Sequence, residues 1–348
     1  MSNIESLIKC LEPERLQKDE PLSAHTTLGV GGKADLLYVT ETSGDLVKAV
    51  RLARSFKVPV TVIGGGSNIL VADKGVRGLV IKNKSKKISV HKEGKIRKIW
   101  RSVVGARWMG SAKGDNQENF SCLDFDESKA KDVEVVLDSG VNLQMAMVKL
   151  LDLGITGLQW YSRIPGTIGG AVYNNIHGGT HTFAEIIKKV VVLDTHGGIK
   201  TFSRKDLKLG YDKSRFHESG EIILEVVLSL KMGNVKKAKE VVNKWRKMKS
   251  IQPMNSAGCV FKNLSDEDRA TLGYPTTSVG YIVENILNMT GYKVGGAAIA
   301  KEHHNFIVNT GKATAKDFLA VHDEIVRRAR ESLGIELEDE IIRVGEFD

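Results

Sequence analysis

The residues best suited to chemistry in this chain lie in glycine-rich segments. The first is Gly64-Gly65-Gly66-Ser67-Asn68, which follows the apolar run Val58 to Ile63. Glycines lack a Cβ atom, so such a turn can bring backbone N–H groups close to phosphate oxygens. The segment has neither the Lys-Ser/Thr of a P-loop nor the spacing of a Rossmann turn. Taken alone, it is equally consistent with an ordinary glycine-rich turn.

A second segment of small residues changes this interpretation. It reads Arg163-Ile164-Pro165-Gly166-Thr167-Ile168-Gly169-Gly170-Ala171 and continues to Asn175. Two separate small-residue loops, each beside an apolar strand-like run, suit a large dinucleotide lying between two lobes. The sequence therefore predicts a nucleotide site built from two loops.

Composition and charge narrow the class of protein. The 348 residues suggest two or three domains, and the net charge of +9 is concentrated in residues 82–101 and 236–249. The positive potential of such a protein could attract nucleic acid or a small anionic substrate. The second stretch resembles a helix with Val241, Val242 and Trp245 on one face and lysines on the other, which is typical of a solvated surface. We expect no nucleic-acid partner.

Cysteine usage and hydropathy point to a cytoplasmic protein. Cys10, Cys122 and Cys259 are far apart and have no metal-ligand spacing, so we expect reduced thiols and no metal site. The longest apolar runs fall well short of the roughly 20 residues that span a bilayer, and the first residues lack a signal-peptide pattern. We expect no membrane insertion.

Apolar periodicity predicts a mixture of helices and strands. The predicted helices carry apolar residues at helical spacing, and they cover 46–53 (capped by Ser43-Gly44-Asp45), 142–153, 236–249, 278–293 and 314–333. The predicted strands cover 60–63, 78–81, 133–140, 190–194, 199–202, 221–230 and 299–309, with a hairpin turn at 196–198. Residues 83–132 are predicted to form a strand pair carrying a surface excursion.

Several ordered motifs spread along the chain resemble those of the UDP-N-acetylenolpyruvoylglucosamine reductase family. The matching segments are 25–32, 64–68, 164–175, 210–214, 256–263, 303–309 and 334–340. Only the 83–132 excursion and about the first twenty residues lie outside the pattern. The short spacing between Tyr211 and Cys259 resembles the subclass without an extra tyrosine-bearing substrate loop.

The resemblance implies an α+β fold, in which a two-lobed FAD-binding fold of the vanillyl-alcohol oxidase type precedes a C-terminal α+β substrate domain. The implied domains are residues 1–82 with the tail 341–348, residues 83–232, and residues 233–340. FAD would lie noncovalently between the first two lobes. Its expected contacts come from the two glycine segments, namely Gly64, Gly65, Gly66, Ser67, Asn68, Arg163, Ile164, Pro165, Gly166, Gly169, Gly170 and Ala171.

The implied reaction has two halves. NADPH gives hydride to FAD, and reduced flavin then reduces UDP-N-acetylglucosamine enolpyruvate to UDP-N-acetylmuramate in peptidoglycan precursor synthesis. The resemblance thus implies a cytoplasmic enzyme that binds a UDP-sugar enolpyruvyl ether, and we expect a monomer. The alternatives are another FAD-dependent oxidoreductase of the same fold, or a catalytically silent flavin-binding protein.

The resemblance also assigns roles to single residues. Cys259 occupies the position of the family's proton-donating serine, and a thiol, with a reference pKa near 8.5, is a better acid than an alcohol. Glu340 matches the catalytic glutamate. Tyr211, Asn263 and Asn285 match substrate-binding positions, although Asn285 stands where glutamine is often found.

The cation that stabilises the developing enolate is the main departure from the family pattern. Asp212 follows Tyr211 where the family usually has arginine, and a carboxylate there would repel the enolate. Lys213, Arg215 or Arg163 could supply the charge instead, and we predict Arg215. The lysine expected near the substrate diphosphate has two candidates, Lys249 and Lys262.

Overall fold

The structure is a computed structural model that describes residues 2–92, 95–98 and 123–347. The chain forms two compact units. Unit 1 contains residues 1–16, 38–64 and 81–250, and unit 2 contains residues 17–37, 65–80 and 251–348. Within the described ranges, none of the helices is both long and apolar enough to cross a membrane. The predicted division at residues 82, 232 and 340 remains a prediction.

Four of the helices, α2, α3, α6 and α9, lie close to positions that apolar periodicity predicts. They are α1 Asn3–Cys10, α2 Ser43–Ser55, α3 Leu143–Leu151, α4 Ile168–Tyr173, α5 Phe216–Ser219, α6 Val235–Met248, α7 Asp266–Leu272, α8 Val279–Tyr281 and α9 Ala315–Leu333. In α2 the predicted inner face is confirmed, with Leu46, Ala49, Val50 and Ala53 buried. Its N-cap is Thr42, one residue before the predicted capping segment Ser43-Gly44-Asp45, and Thr42 forms a capping box with Asp45.

The strands are short except in one large sheet. They are β1 Leu16–Pro21, β2 Lys33–Thr40, β3 Val60–Ile63, β4 Ile69–Val71, β5 Val76–Asn83, β6 Ile88–Lys92, β7 Lys95–Lys98, β8 Lys131–Asp138, β9 Ile155–Thr156, β10 His177–Gly178, β11 His181–Thr182, β12 Ile187–Leu193, β13 Ile199–Ser203, β14 Ile222–Met232, β15 Lys293–Val294, β16 Ala297–Ile299, β17 Ile307–Asn309 and β18 Ile342–Val344. One four-stranded sheet has the strand order β1-β2-β5-β3. The mixture of helices and sheets confirms the predicted α+β class.

The large sheet of unit 1 has the order β13-β12-β14-β8-β6-β7, and β9 also pairs with β14. The predicted hairpin is confirmed, because Asp194 Oδ1 accepts hydrogen bonds from the N–H groups of His196 and Gly198. The buried faces of β8, β12 and β14 share one core with α3, α4 and α6. The predicted strand pair is confirmed as β6 and β7, while the stretch 99–122 of the predicted excursion lies outside the described residues.

Unit 2 packs α9 against a three-stranded sheet, β15-β16-β17, around a separate core that includes Phe261, Phe318 and Val321. Thr314 caps α9 and Gly334 ends it in the left-handed region, as predicted. The single strand predicted at 299–309 is wrong. The chain turns between β16 and β17, where Ala300 N–H donates to the carbonyl of Phe306.

The helix predicted at 278–293 is also shorter than expected. The single turn α8 runs into a π-helical turn, Ile282–Ile286, and the chain then reverses at Asn288, whose φ is 51°. A π turn widens the helix and places consecutive side chains away from the regular α-helical stripe. The turn therefore exposes Glu284 and Asn285 while it buries Ile282 and Val283.

Candidate active site

The two glycine segments meet at one side chain of unit 1. A Cβ atom added to Gly64 would lie 2.6 Å from Thr167 Oγ1, which is closer than real Cβ contacts. Thr167 also caps α4, because its Oγ1 accepts a hydrogen bond from the N–H of Gly170 at 3.2 Å. Gly64 of the first predicted loop therefore packs against Thr167 of the second.

The N–H groups at the start of α4 have acceptors within the protein, and the cofactor contacts predicted for Gly169 and Gly170 remain predictions. The N–H of Ile168 donates to Val141, and the N–H of Gly169 donates to Ser139 at 2.8 Å. A Cβ on Gly169 would lie 2.8 Å from the Cβ of Ser139. Because these N–H groups already have protein acceptors, they are not available to a phosphate oxygen.

The first loop has the open donors instead. The N–H groups of Gly65 and Gly66 donate no hydrogen bond to any other described residue. Gly66 has a φ of 71°, and a Cβ there would lie 2.1 Å from the carbonyl oxygen of His25. Only glycine fits this position, and two consecutive open N–H groups provide the donors of an anion nest.

Arg163 is held in a strained backbone conformation at the entrance to the second loop. Its φ is 67°, and Gln144 fixes the loop by accepting the Arg163 N–H and donating to the carbonyls of Tyr161 and Ile164. The guanidinium is exposed. Burial, together with the charge of Arg163, lowers the pKa of Arg246, so the two arginines form a positive cluster.

The predicted proton donor and catalytic glutamate lie next to each other in unit 2. The N–H of Glu340 donates a 2.8 Å hydrogen bond to the carbonyl of Val260, the residue after Cys259. Phe261 and Asp339 continue this pairing as an antiparallel bridge. Cys259 and Glu340 are each partly exposed. Gly258, with a φ of 89°, has open space where a Cβ would point, so the backbone before Cys259 borders a gap.

Two asparagines, Asn305 and Asn68, hold this pair in place. The Asn305 side chain, 3% exposed, accepts the N–H of Phe261 and donates to the carbonyl of the same residue. Asn68 Nδ2 donates to the carbonyl of Glu340 at 3.1 Å. Asn68 was predicted as a cofactor contact, and its amide here positions Glu340. In the sequence, the feature that could have pointed to Asn305 is its place in the motif at 303–309.

A buried histidine, His322, contacts Asp339, the residue before Glu340. His322 Nε2 is 2.7 Å from Asp339 Oδ1, its Nδ1 is 2.8 Å from Asp323 Oδ1, and the ring stacks on Phe261. Burial by itself would raise the pKa of Asp339, but the hydrogen bond and charge of His322, with Arg343, hold it below its usual range.

The remaining substrate positions of unit 2 face solvent. Asn263 is exposed, and Asn285 is exposed on the π turn with its Nδ2 donating to the carbonyl of Tyr281. Lys262 is 14% exposed and pairs with Glu338, which engages its ammonium. Lys249, the other diphosphate candidate, lies in unit 1 with its Nζ 4.8 Å from the centre of the Trp245 ring.

The geometry argues against Arg215 as the substrate-facing cation. Its Nε and Nη2 donate to the two oxygens of Glu221 at 2.9 and 3.1 Å. Its Nη1 donates to the carbonyl of Asp206, and the guanidinium carbon lies 4.0 Å from the centre of the Phe202 ring. The guanidinium is thus satisfied on its edges and on a face, which favours a structural role for Arg215.

The other two candidate cations, Lys213 and Arg163, have exposed side chains. Lys213 is exposed and pairs with Glu218 at 3.1 Å, while Arg163 remains exposed beside its loop. Asp212, in contrast, turns inward and is 8% exposed, with its carboxylate 3.3 Å from His177 Nδ1. Tyr211 stacks on the same histidine and is half exposed.

Two sequence families match this chain. The FAD-binding domain family matches residues 34–107 and 119–203. The C-terminal domain of UDP-N-acetylenolpyruvoylglucosamine reductase matches residues 250–344. The loops around Gly64 and Thr167 lie in the first match, and Cys259 and Glu340 lie in the second. The chain is therefore an FAD-dependent oxidoreductase.

Full-length relatives specify the family. The UDP-N-acetylenolpyruvoylglucosamine reductase of Caldanaerobacter subterraneus is 30% identical over 99% of this chain and 98% of its own. That of Lachnoclostridium phytofermentans is 29% identical over 99% of both chains. The crystal structure of the Thermus caldophilus reductase superposes with a TM-score of 0.67 at 29% identity, covering 95% of this chain and 99% of that one. This chain belongs to the UDP-N-acetylenolpyruvoylglucosamine reductase family.

Proposed function

We propose that this protein catalyses the NADPH-dependent reduction of UDP-N-acetylglucosamine enolpyruvate to UDP-N-acetylmuramate, a step of peptidoglycan precursor synthesis. The observation that carries the proposal is the pairing of the Cys259 and Glu340 segments through the Val260–Glu340 hydrogen bond. Family membership over nearly the whole chain supports the same conclusion. We also propose that the protein acts as a monomer in the cytoplasm.

The residues present fit FAD. The open N–H groups of Gly65 and Gly66 suit the pyrophosphate. Gly64 packs closely on the side chain of Thr167, so a larger residue would not fit there. We propose that Ser67, Arg163, Ile164, Pro165, Gly166 and Ala171 add contacts to the cofactor, as predicted. Bound FAD supplies the hydride relay between NADPH and the substrate.

The protein must then control charge and protons on the substrate. Reduction of the enolpyruvyl double bond places hydride on the terminal carbon and leaves negative charge on the adjacent carbon and its carboxylate. We propose that the thiol of Cys259 donates the proton to that adjacent carbon. Glu340, held one hydrogen bond away in the backbone, acts as the acid–base partner that restores the donor. Tyr211, Asn263 and Asn285 bind the nucleotide sugar.

Stepwise reduction of the purified protein tests this function. Under anaerobic conditions NADPH should bleach the yellow flavin, and added enolpyruvyl substrate should restore the colour with formation of UDP-N-acetylmuramate. Bleaching without restoration would point to another FAD-dependent oxidoreductase. Binding of flavin without reduction by NADPH would point to a catalytically silent flavin-binding protein. Light scattering after gel filtration measures whether the protein is a monomer.

A further inference from the structure

Thr27 joins the first glycine loop to the segment that carries Cys259. Its backbone N–H donates to the carbonyl of Gly66 at 3.0 Å. Its Oγ1 donates to the carbonyl of Ser256 at 2.7 Å, and Ser256 is 6% exposed and lies shortly before Cys259 in the chain. The hydroxyl has a single proton, and the carbonyl of Gly66 is farther from it, at 3.4 Å. Thr27 therefore bonds one segment through its backbone and the other through its side chain.

Asn68 makes the corresponding connection to Glu340. Its Nδ2 donates to the carbonyl of Glu340 at 3.1 Å, and its own carbonyl accepts the N–H of Ile342 at 3.1 Å. The pairing continues along β4 and β18, where Ile342 lies opposite Ile69 in a parallel register. The end of the glycine loop is thus bonded to the chain at Glu340 and again at Ile342.

The loop between Thr27 and Asn68 packs tightly on its neighbours. A Cβ atom at Gly66 would lie 2.1 Å from the carbonyl oxygen of His25, so the loop backbone lies directly against residues 25–27. All of these residues, like Cys259 and Glu340, belong to unit 2. A shift of the loop backbone must therefore break the Thr27 and Asn68 bonds or move the segments to which they lead.

We propose that Thr27 and Asn68 couple cofactor binding to the position of the proton donor, so that FAD bound at the glycine loop orders the segments that carry Cys259 and Glu340. The inference rests on the proposed function, which assigns the loop to the FAD pyrophosphate and the pair to the chemistry. A ligand stabilises the conformation that it binds best, and such coupling is reciprocal. Thr27 is a positioning residue, since it acts on Cys259 through the backbone.

Amide hydrogen exchange of the full-length protein, with saturating FAD and after removal of FAD, tests the inference. FAD should slow exchange in peptides that cover residues 256–263 and 338–344. Thr27→Val keeps the size of the side chain but loses the hydroxyl. In this variant the FAD-dependent slowing at 256–263 should shrink roughly two- to tenfold, as expected for loss of one hydrogen bond. At saturating FAD, Asn68→Ala should lose the slowing chiefly at 338–344.

Two further variants separate coupling from a general loss of stability. Thr27→Ser retains the hydroxyl and should keep the wild-type response to FAD. Thr310→Val is the matched control, because Thr310 Oγ1 also donates to a backbone carbonyl of unit 2, that of Gly296 at 2.9 Å. This bond lies outside the connection between the loop and the donor, so Thr310→Val should respond to FAD as wild type does.

Reciprocity gives a second measurement. If FAD strengthens the contacts of Thr27, loss of the hydroxyl should weaken FAD binding by a similar factor, roughly two- to tenfold. Titration of flavin fluorescence measures this affinity, and Thr27→Ser and Thr310→Val should bind FAD as wild type does. Should the chain unfold without FAD, the rate at which FAD dissociates from the loaded variants supplies the same comparison.

Two results would overturn the inference. Equal FAD affinity and equal FAD-dependent slowing in wild type and Thr27→Val would show that the hydroxyl transmits nothing. Exchange that rises to the same extent with and without FAD in Thr27→Val would show that the hydroxyl only stabilises the fold. Neither measurement uses NADPH or the enolpyruvyl substrate. Failure of the proposed function would instead appear as reduced flavin that the substrate does not reoxidise, so the two failures are distinguishable.

Discussion

The N–H of Glu340 donates a 2.8 Å hydrogen bond to the carbonyl of Val260, one residue after Cys259. The segments that carry Cys259 and Glu340, which are 81 positions apart in the chain, are thereby fixed side by side in unit 2. The bond involves the backbone only, so substitution of either side chain leaves it in place.

Replacement of Cys259 should affect only the second half-reaction. Cys259→Ala should bleach normally with NADPH but should recover its colour with the enolpyruvyl substrate roughly 10²–10⁴-fold more slowly, because a positioned general acid is lost. Cys259→Ser should keep substantial activity, since a hydroxyl occupies nearly the same place. Stopped-flow absorbance measures both steps. Rapid colour recovery in Cys259→Ala would show that the proton comes from elsewhere.

Turnover should depend on pH differently in the wild type, whose donor is a thiol, and in Cys259→Ser, whose donor is a hydroxyl. A thiolate cannot donate a proton, so wild-type turnover should fall at alkaline pH as the thiol ionises. Cys259→Ser should lack this particular decline. Turnover measured over a pH series for both proteins makes the comparison, and an identical alkaline decline in the serine variant would assign it to another group.

Asp339 should make the stability of unit 2 depend on pH. Its pKa is lowered by His322 and Arg343, so its contribution is fully present above the unfolded value of about 3.9 and is lost as pH falls through the lower folded value. The difference in unfolding free energy between wild type and Asp339→Asn should therefore shrink as pH falls below about 4. Denaturant unfolding over a pH series measures it. A difference that stays constant to low pH would contradict the prediction.

Gly64 should tolerate no side chain. An alanine Cβ would lie 2.6 Å from Thr167 Oγ1, so Gly64→Ala should lower both the flavin content and the melting temperature. Gly44→Ala is the matched control, because its Cβ would meet Thr42 Oγ1 at an ordinary 3.6 Å. Thr167→Ala should partly relieve the clash, so the double variant should be less damaged than the sum of the single variants. Strict additivity would mean that the two loops are not coupled.

Arg215 should prove structural. Its partner Glu221 is 9% exposed, and removal of one member of a buried pair costs about 3 kcal/mol of unfolding free energy. Arg215→Ala should thus be destabilised, while the folded protein recovers its colour with substrate at nearly the wild-type rate. Arg215→Lys should restore only part of the stability, since an ammonium cannot form the bidentate contact. Normal stability with slow colour recovery would reinstate Arg215 as the substrate cation.

The sequence by itself determined the local elements and the motifs. Helical spacing of Leu46, Ala49, Val50 and Ala53 predicts the buried face of α2, and Thr314 and Gly334 mark the ends of α9. These features depend on neighbours within a few residues, so they can be deduced from spacing and capping chemistry. The glycine loops and the Cys259 motif were recognisable for the same reason, as short continuous patterns.

Tertiary structure alone decided the partners of each polar side chain. Sequence proximity made Arg215 a plausible substitute for the arginine missing at Asp212, but the fold places Glu221 against its guanidinium. The same fold turns Asp212 inward and brings His177 beside it from 35 residues away. Whether a charge faces a ligand or a buried partner depends on contacts between distant segments, and no local pattern of residues encodes those contacts.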